Sequence, residues 1–280
     1  MTDERTNESW IGDARTEGEL ADRRAPLLKP CSLEGLAFQL DPYLGCQHQC
    51  RYCHALTRGG GGWLRGVHSY DGLADRLAHE LSAIEPQSIY VGWYSDPYQP
   101  IEAERLDTRS ALGVLSGERF SATILTKSDL LVRDLDILRF MPRASVGVSL
   151  AFADERTRRL FEPTAPDNAR RIEALRAAKA AGIETYALIC PVMPYLTDLA
   201  ALLWSVKDVA DQVWVYRFHV RDRSSRNWRN VLTVIERVFP EIEGRFGEAS
   251  LAADHPYWRE QREVARSAST GLGVSVRAEF

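Results

Sequence analysis

The sequence predicts an α/β protein, a partial (β/α)6 TIM-type barrel followed by a C-terminal helical extension. Six short apolar runs alternate with amphipathic stretches, which indicates repeated units of strand, loop and helix. The runs are too apolar to face water on either side, as is typical of a parallel sheet covered by helices. An open doubly wound sheet has the same pattern and is the alternative architecture.

The six predicted strands are separated by stretches long enough to hold a helix. They are Leu36–Leu40, Ser88–Trp93, Ala122–Leu125, Ser145–Leu150, Glu184–Ile189 and Gln212–Phe218. In both architectures the reactive groups lie on loops after the carboxyl ends of the strands. The residues that follow each strand are therefore the candidates for function.

Two of the intervening helices have clear signals. One apolar stripe has spacings of four, four and three, at Leu73, Leu77, Leu81 and Ile84. This stripe predicts a helix over Asp71–Ile84 with Asp71 as its N-cap. A second helix begins at Asp167, and Gly182 follows it where a left-handed stop is expected before the next strand.

The chain divides into three predicted segments. Residues 1–30 are mostly polar and charged with no sustained period, so we expect a loosely structured leader. Residues 31–223 form the barrel, with a flexible loop at Gly59–Gly62. Residues 224–280 are expected to form an extension that packs on the barrel as a helical cap.

The composition is that of a globular protein with a sizeable core. Hydrophobic residues make up 45% of the chain and charged residues 26%, and the net charge is -4. No stretch approaches the roughly 18 apolar residues of a membrane span, and the first residues lack the apolar core of a signal peptide. We expect a cytoplasmic protein with no membrane partner. The mildly acidic charge disfavours DNA as a partner.

Three of the five cysteines form one motif, C-x3-C-x2-C, at Cys46, Cys50 and Cys53 after the first predicted strand. Three thiolates at this spacing can hold three corners of an iron–sulfur cube and leave the fourth iron open for substrate chemistry. A tetrahedral zinc site is the alternative, with His48 or His54 as its fourth ligand.

The motif resembles that of the radical S-adenosylmethionine (SAM) superfamily, which also has an aromatic residue before the last cysteine, here Tyr52. The run Asp41-Pro-Tyr-Leu-Gly-Cys-Gln-His-Gln-Cys-Arg-Tyr-Cys is similar to the spore photoproduct lyase and DNA-photolyase-like branch of that superfamily. Further segments resemble the blocks of this branch in the same order. These are Gly92–Glu102, Thr126–Ser128, Val148–Leu150, Phe161–Pro163 and Pro191–Pro194.

The resemblance implies a set of cofactors and of residues that bind them. Cys46, Cys50 and Cys53 would ligate a [4Fe-4S] cluster whose open iron is chelated by SAM, and a reducing partner such as flavodoxin or ferredoxin would supply an electron. Reductive cleavage of SAM would then give a 5′-deoxyadenosyl radical that abstracts hydrogen from a substrate. The positions that match SAM contacts are Tyr52, Ser95, Asp96, Gln99, Lys127 and Ser149.

The residues alone leave other interpretations for some of these positions. Asp96, followed by a proline, and Gln99 are also typical of turn and cap chemistry. Lys127 would otherwise be interpreted as a surface lysine.

The chain departs from the branch at one functional position. Spore photoproduct lyases carry a hydrogen-donating cysteine beside the Ser-Asp of this loop, but Gly92–Ser95 contains no thiol. Cys190 and Tyr98 are therefore the candidate catalytic residues that return hydrogen, although a free cysteine is also a common core residue. His219, at the end of the last predicted strand, is either a substrate-binding base or a rim histidine.

The predicted function is that of a radical SAM enzyme, of lyase or transferase type, acting on a small-molecule or nucleoside-like substrate. A DNA-lesion repair lyase of the spore photoproduct type is the alternative. A third hypothesis is a non-catalytic zinc or iron–sulfur binding module, which would not cleave SAM.

Overall fold

The computed structural model of the chain describes residues 25–57, 66–218, 220 and 222–280. Most of the predicted leader, the predicted Gly59–Gly62 loop and His219 lie outside the described residues. Within the described ranges, no helix is long and apolar enough to cross a membrane.

The strands belong to one large sheet and one small one. Their bounds are β1 Leu28–Pro30, β2 Phe38–Leu40, β3 Tyr43–Leu44, β4 His68–Ser69, β5 Ser88–Val91, β6 Ser121–Thr126, β7 Ser145–Leu150, β8 Glu184–Val192, β9 Gln212–Arg217 and β10 Ser275–Glu279. The large sheet has the order β1-β2-β5-β6-β7-β8-β9-β10, and β3 pairs with β4 in the small sheet.

The six predicted strands correspond to β2 and β5 to β9. They are hydrogen-bonded in parallel and in sequence order, each to the next along the chain. A doubly wound sheet would reverse its strand order at a switch point. The continuous order therefore agrees with the predicted (β/α)6 arrangement and excludes the alternative.

One strand of the predicted C-terminal extension joins the large sheet. β10 pairs in parallel with β9, from Ser275 beside Gln212 to Glu279 beside Tyr216. The alternation of apolar and polar residues over Ser275–Glu279 has the period of a half-buried strand. Residues 224–280 therefore contain the predicted helices and, in addition, one strand.

Helices cover the outer face of the sheet. Their bounds are α1 Leu73–Leu81, α2 Glu102–Arg105, α3 Asp107–Gly117, α4 Leu135–Leu138, α5 Glu155–Phe161, α6 Asn168–Ala180, α7 Leu199–Val206, α8 Arg226–Val238, α9 Glu243–Leu251 and α10 Pro256–Gly271. Short 3-10 turns lie at His54–Thr57, Asp129–Asp134 and Pro240–Ile242.

The helix signals are largely confirmed. The leucines of the α1 stripe are buried, and Asp167 caps α6 by accepting a hydrogen bond from Arg170 N at 2.8 Å. Gly182 has φ +77°, the left-handed conformation expected after α6. The prediction of Asp71 as an N-cap is wrong, because Gly72 takes a left-handed turn and becomes the N-cap of a helix that begins at Leu73.

The two faces of the sheet differ in exposure. Along β6, Ala122, Ile124 and Thr126 are buried beneath the helices, whereas the alternate residues Thr123 and Leu125 are half-buried. The same alternation in β8 leaves Tyr186, Leu188 and Cys190 half-buried. Since successive side chains of a strand point to opposite faces, the half-buried set lines the interior of the barrel. The side chains that line the interior are therefore only partly buried.

Candidate metal centre and cofactor site

The cysteine loop, Cys46–Cys53, follows the small strand β3 at the open end of the barrel. Cys46 and Cys50 are buried and Cys53 is half-buried, and all three thiols are free. Gly45 precedes the loop with φ +86°, and a Cβ there would stand 2.6 Å from Gly66 O. Only glycine fits at this turn into the loop.

The thiols of this loop suit an iron–sulfur cluster better than a single metal ion. No three His, Cys, Asp or Glu side chains in the described part of the chain converge as the ligands of one ion. A four-iron cube places its cysteine ligands at separate corners and does not need such convergence. Burial raises the pKa of Cys50 to about 12, while the nearby Lys127 ammonium favours the thiolate that a cluster requires.

Neither histidine of the zinc alternative joins the cysteines. His48 is buried and its Nε2 lies 3.4 Å from Asp96 Oδ2, on the next loop. His54 is exposed, and its ring packs against the rings of Trp93 and Tyr94, at centroid distances of 5.8 and 6.0 Å.

The side-chain amide of Gln99 binds the backbone of the cysteine loop. Gln99 Oε1 accepts a hydrogen bond from Gln47 N at 2.8 Å, and Gln99 Nε2 donates to Gly45 O at 3.1 Å. In return, Gln47 Oε1 accepts from Ile101 N at 2.6 Å. The Gln99 amide is thus committed to the loop, and its predicted SAM contact stays a prediction.

Asp96 orders the loop after β6. Its carboxylate accepts hydrogen bonds from Thr126 Oγ1 at 2.6 Å and from Lys127 N at 2.7 Å. Burial raises the pKa of Asp96, but His48 and these hydrogen bonds outweigh burial and lower the pKa to about 2. The neighbouring Ser95 donates through Oγ to Tyr43 O at 2.9 Å. Asp96 is therefore an ionised acceptor that fixes the backbone of Lys127.

Lys127, Ser149 and Tyr52 lie together beside Cys50. Lys127 Nζ donates to Ser149 Oγ at 3.0 Å and stands 5.8 Å from the centroid of the Tyr52 ring. Burial lowers the pKa of Lys127, but the charges of Cys50 and Glu162 outweigh burial and raise the pKa above its usual value. The structure thus brings one half-buried ammonium, one hydroxyl and one aromatic ring to the cysteine loop.

Glu162 and Arg171 also lie at this site, although the sequence alone predicts no role for either. Both side chains are 0% exposed, and Arg171 Nη2 lies 2.5 Å from Glu162 Oε2. The hydroxyl of Tyr52 donates to Glu162 Oε1. The signal in the sequence was Glu162 within the Phe161–Pro163 block, which alone does not distinguish a site residue from a rim salt bridge.

The two candidate catalytic residues lie in different surroundings. Cys190 is half-buried on the inner face, and burial raises its pKa to about 11 while the charge of Lys127 lowers it. Tyr98 is 1% exposed, and burial together with the Asp134 carboxylate raises its pKa well above the usual value. Cys190 therefore lies in the interior of the barrel near Lys127, whereas Tyr98 is buried near Asp134. No observation tests either catalytic role, and both stay predictions.

Comparison with protein families and curated proteins identifies relatives of the chain. The model of the radical SAM superfamily matches residues 40–201. An uncharacterized protein of Methanocaldococcus jannaschii is 29% identical over 218 residues, which cover 76% of this chain and 81% of the relative. An uncharacterized protein of Mycobacterium tuberculosis is 30% identical over 237 residues, which cover 75% of this chain and 66% of the relative.

Two solved structures share the fold. A variant of spore photoproduct lyase superposes with a TM-score of 0.65 at 14% identity, covering 98% of this chain and 88% of that chain. SuiB of Streptococcus suis bound to SAM superposes with a TM-score of 0.56 at 12% identity, covering 88% of this chain and 51% of that chain. These likenesses confirm the predicted fold class, a partial barrel with a mostly parallel sheet.

Proposed function

The chain belongs to the radical SAM superfamily, and we propose that it abstracts hydrogen from a small-molecule or nucleoside-like substrate. Its cofactors are those of the family, a [4Fe-4S] cluster and SAM. When bound, they would supply a 5′-deoxyadenosyl radical through reductive cleavage of SAM, with an electron from a donor such as flavodoxin or ferredoxin. Cys46, Cys50 and Cys53 would hold the cluster.

The observation that carries this proposal is the convergence of Lys127, Ser149 and Tyr52 on Cys50 at the open end of the barrel. An ammonium is a strong partner for a carboxylate, because charge-assisted hydrogen bonds are about twice as strong as neutral ones. Lys127 and Ser149 would thus bind the carboxylate of SAM. Tyr52, within the cysteine loop, would contact the adenine through its backbone.

The other predicted SAM contacts would act mainly by orienting these groups. Asp96 accepts from Lys127 N and so fixes the start of the loop that carries the ammonium. Gln99 fixes the cysteine loop, and Ser95 would contact SAM from the same end of the barrel.

The substrate would bind on the inner face, where Cys190 is half-buried. We propose Cys190 as the donor that returns a hydrogen atom. Its thiol lies in the interior of the barrel near Lys127, and the loop after β5 has no thiol. Tyr98 is the second candidate, since its side chain is only 1% exposed and belongs to the hydrophobic core. The absence of the loop thiol favours a substrate other than the spore photoproduct lesion.

The test is anaerobic reconstitution with iron and sulfide, followed by dithionite and SAM. We expect a brown protein that forms 5′-deoxyadenosine, detected by chromatography. Cys46→Ala, Cys50→Ala and Cys53→Ala should each abolish the colour and the product. Cys31→Ala is the matched control, because Cys31 is also a free thiol but lies outside the motif. A colourless protein that binds zinc and leaves SAM intact would refute the proposal.

A further inference from the structure

We propose that Glu162 is a positioning residue that fixes the cysteine loop against the rim of the barrel where SAM would bind. The proposal rests on the function proposed above, because it concerns how the same site is held. Glu162 itself need not touch either cofactor. Its effect would pass through Tyr52 on one side and through Arg171 on the other.

The segment after α5 lies along the cysteine loop and contacts it at three points. Arg51 N donates to Phe161 O at 2.8 Å, Thr164 Oγ1 donates to Gln47 O at 2.6 Å, and Tyr52 OH donates to Glu162 Oε1. The last contact is the only one of the three that reaches a side chain between Cys50 and Cys53. It therefore fixes the orientation of the stretch that carries two of the three thiols.

The other oxygen of Glu162 faces the barrel. It accepts from Arg171 Nη2 at 2.5 Å, and Arg171 Nη1 donates to Ser149 O at 2.8 Å. Ser149 is also the residue whose hydroxyl accepts from Lys127. One buried carboxylate thus connects the cysteine loop to both residues proposed to bind the carboxylate of SAM.

The burial of this pair favours a role in geometry over one in stability. Glu162 and Arg171 are both 0% exposed. Apolar residues of similar volume often stabilise a core as well as a buried ion pair does, because removing two charges from water is costly. Charged residues differ from apolar ones in making directional hydrogen bonds, which restrict the orientation of the side chains that they join.

The chain contains a matched control for this arrangement. Tyr43 OH donates to Glu102 Oε2, and Arg133 Nη2 lies 2.5 Å from Glu102 Oε1. Glu102 is 0% exposed, as Glu162 is. Its remaining side-chain contacts are with Thr108 N and Arg109 N at the start of α3, outside the cysteine motif. Tyr43 lies just before the cysteine loop, but its hydroxyl bond is with Glu102. Tyr43→Phe therefore removes the same kind of hydrogen bond without changing the contacts of Glu162 or Arg171.

The experiment compares the reconstituted wild-type protein with Tyr52→Phe, Tyr43→Phe and Glu162→Gln. Iron content and the thermal midpoint are measured for each, and the Kd for SAM is obtained by titrating the EPR signal of the reduced cluster. Both phenylalanine variants should lose similar thermal stability. Only Tyr52→Phe should raise the Kd for SAM, by about tenfold, as expected when one hydrogen bond to a charged group is lost.

Glu162→Gln separates the hydrogen bond from the charge. The amide oxygen can still accept from Tyr52, but the ion pair with Arg171 is lost. We expect a raised Kd for SAM and faster loss of iron to a chelator. If this variant does not fold, Tyr52→Phe still decides, because it removes a single hydroxyl.

Two results would overturn the inference. Tyr52→Phe with the wild-type Kd and iron content would make the network purely structural. An equal rise in Kd in Tyr43→Phe would indicate general loosening of the fold. A wild-type protein that assembles no cluster is a different result, since it would refute the proposed function and this inference with it.

Discussion

Replacement of Lys127 by methionine should weaken SAM binding while the protein stays folded. Lys127 Nζ donates to Ser149 Oγ at 3.0 Å, and its charge interacts with Cys50 and Glu162. Methionine keeps an unbranched, flexible side chain of similar length, so packing against the Tyr52 ring is largely retained. The main loss is the ammonium.

The size of the effect follows from the charge of the ammonium. A hydrogen bond to a charged partner contributes about 1.5–3 kcal/mol. Since 1.4 kcal/mol corresponds to a factor of ten, the Kd for SAM should rise by about 10-fold to 150-fold. Glu162 keeps its contact with Arg171 in the variant, so the carboxylate is not left unpaired.

The assay is equilibrium binding of SAM to the anaerobic, reconstituted protein. Lys179→Met is the matched control, because Lys179 pairs with Asp211 at 3.1 Å on the surface, with both side chains about 40% exposed. Such an exposed pair contributes about 0–1 kcal/mol. Lys179 lies at the end of α6 and Asp211 just before β9, and neither contacts the cysteine loop by a hydrogen bond or ion pair among the described residues. If Lys127→Met binds SAM with the wild-type Kd, Lys127 does not contact SAM and the reasoning is refuted.

Two further predictions follow from the inner face and from the surface. Cys190→Ala should leave the yield of 5′-deoxyadenosine unchanged but alter the products formed from the substrate, and an unchanged product profile by mass spectrometry would assign Cys190 to packing. Burial raises the pKa of Asp211, but hydrogen bonds from Thr185 and Lys179 outweigh burial and lower it. The wild-type protein should therefore have a larger free energy of unfolding than Asp211→Asn. This difference should be constant above about pH 4 and decrease as the pH falls through the lowered pKa of Asp211. Urea unfolding across pH measures this difference, and an advantage that grows toward acid pH would contradict it.

The sequence predicts those features that depend on neighbours along the chain. The apolar run Ser145–Leu150 coincides with β7, and the strand ends of β6 and β9 differ from prediction by one residue. β8 extends beyond its predicted end at Ile189 to Val192. The spacing of the cysteines predicts a metal-binding loop because the three thiols lie within eight consecutive positions.

Features that depend on tertiary contacts were missed or left open. β10 is short and exposed on alternate residues, so its apolar content is too low for a strand prediction. Its partner β9 is separated from it in sequence by three helices, so the pairing is not visible in the local pattern. In the sequence, Glu162 is an ordinary charged residue before a proline, and none of its neighbours indicates that it is buried. Its carboxylate is buried because Arg171 and Tyr52 bind it. Gln99 was predicted to bind SAM, yet its amide is occupied by the backbone of the cysteine loop.

The cysteine loop owes its shape to contacts that are distant in sequence. It has no strand or helix of its own before the 3-10 turn at His54–Thr57, so its backbone must find partners elsewhere. Gln99 reaches it from 52 residues away, Glu162 from 110 and Thr164 from 117. These partners follow β5 and β7, so the form of the loop depends on how those strands are placed in the sheet. The shape of the proposed metal site is therefore set by distant parts of the fold, although the three cysteines are close neighbours in the sequence.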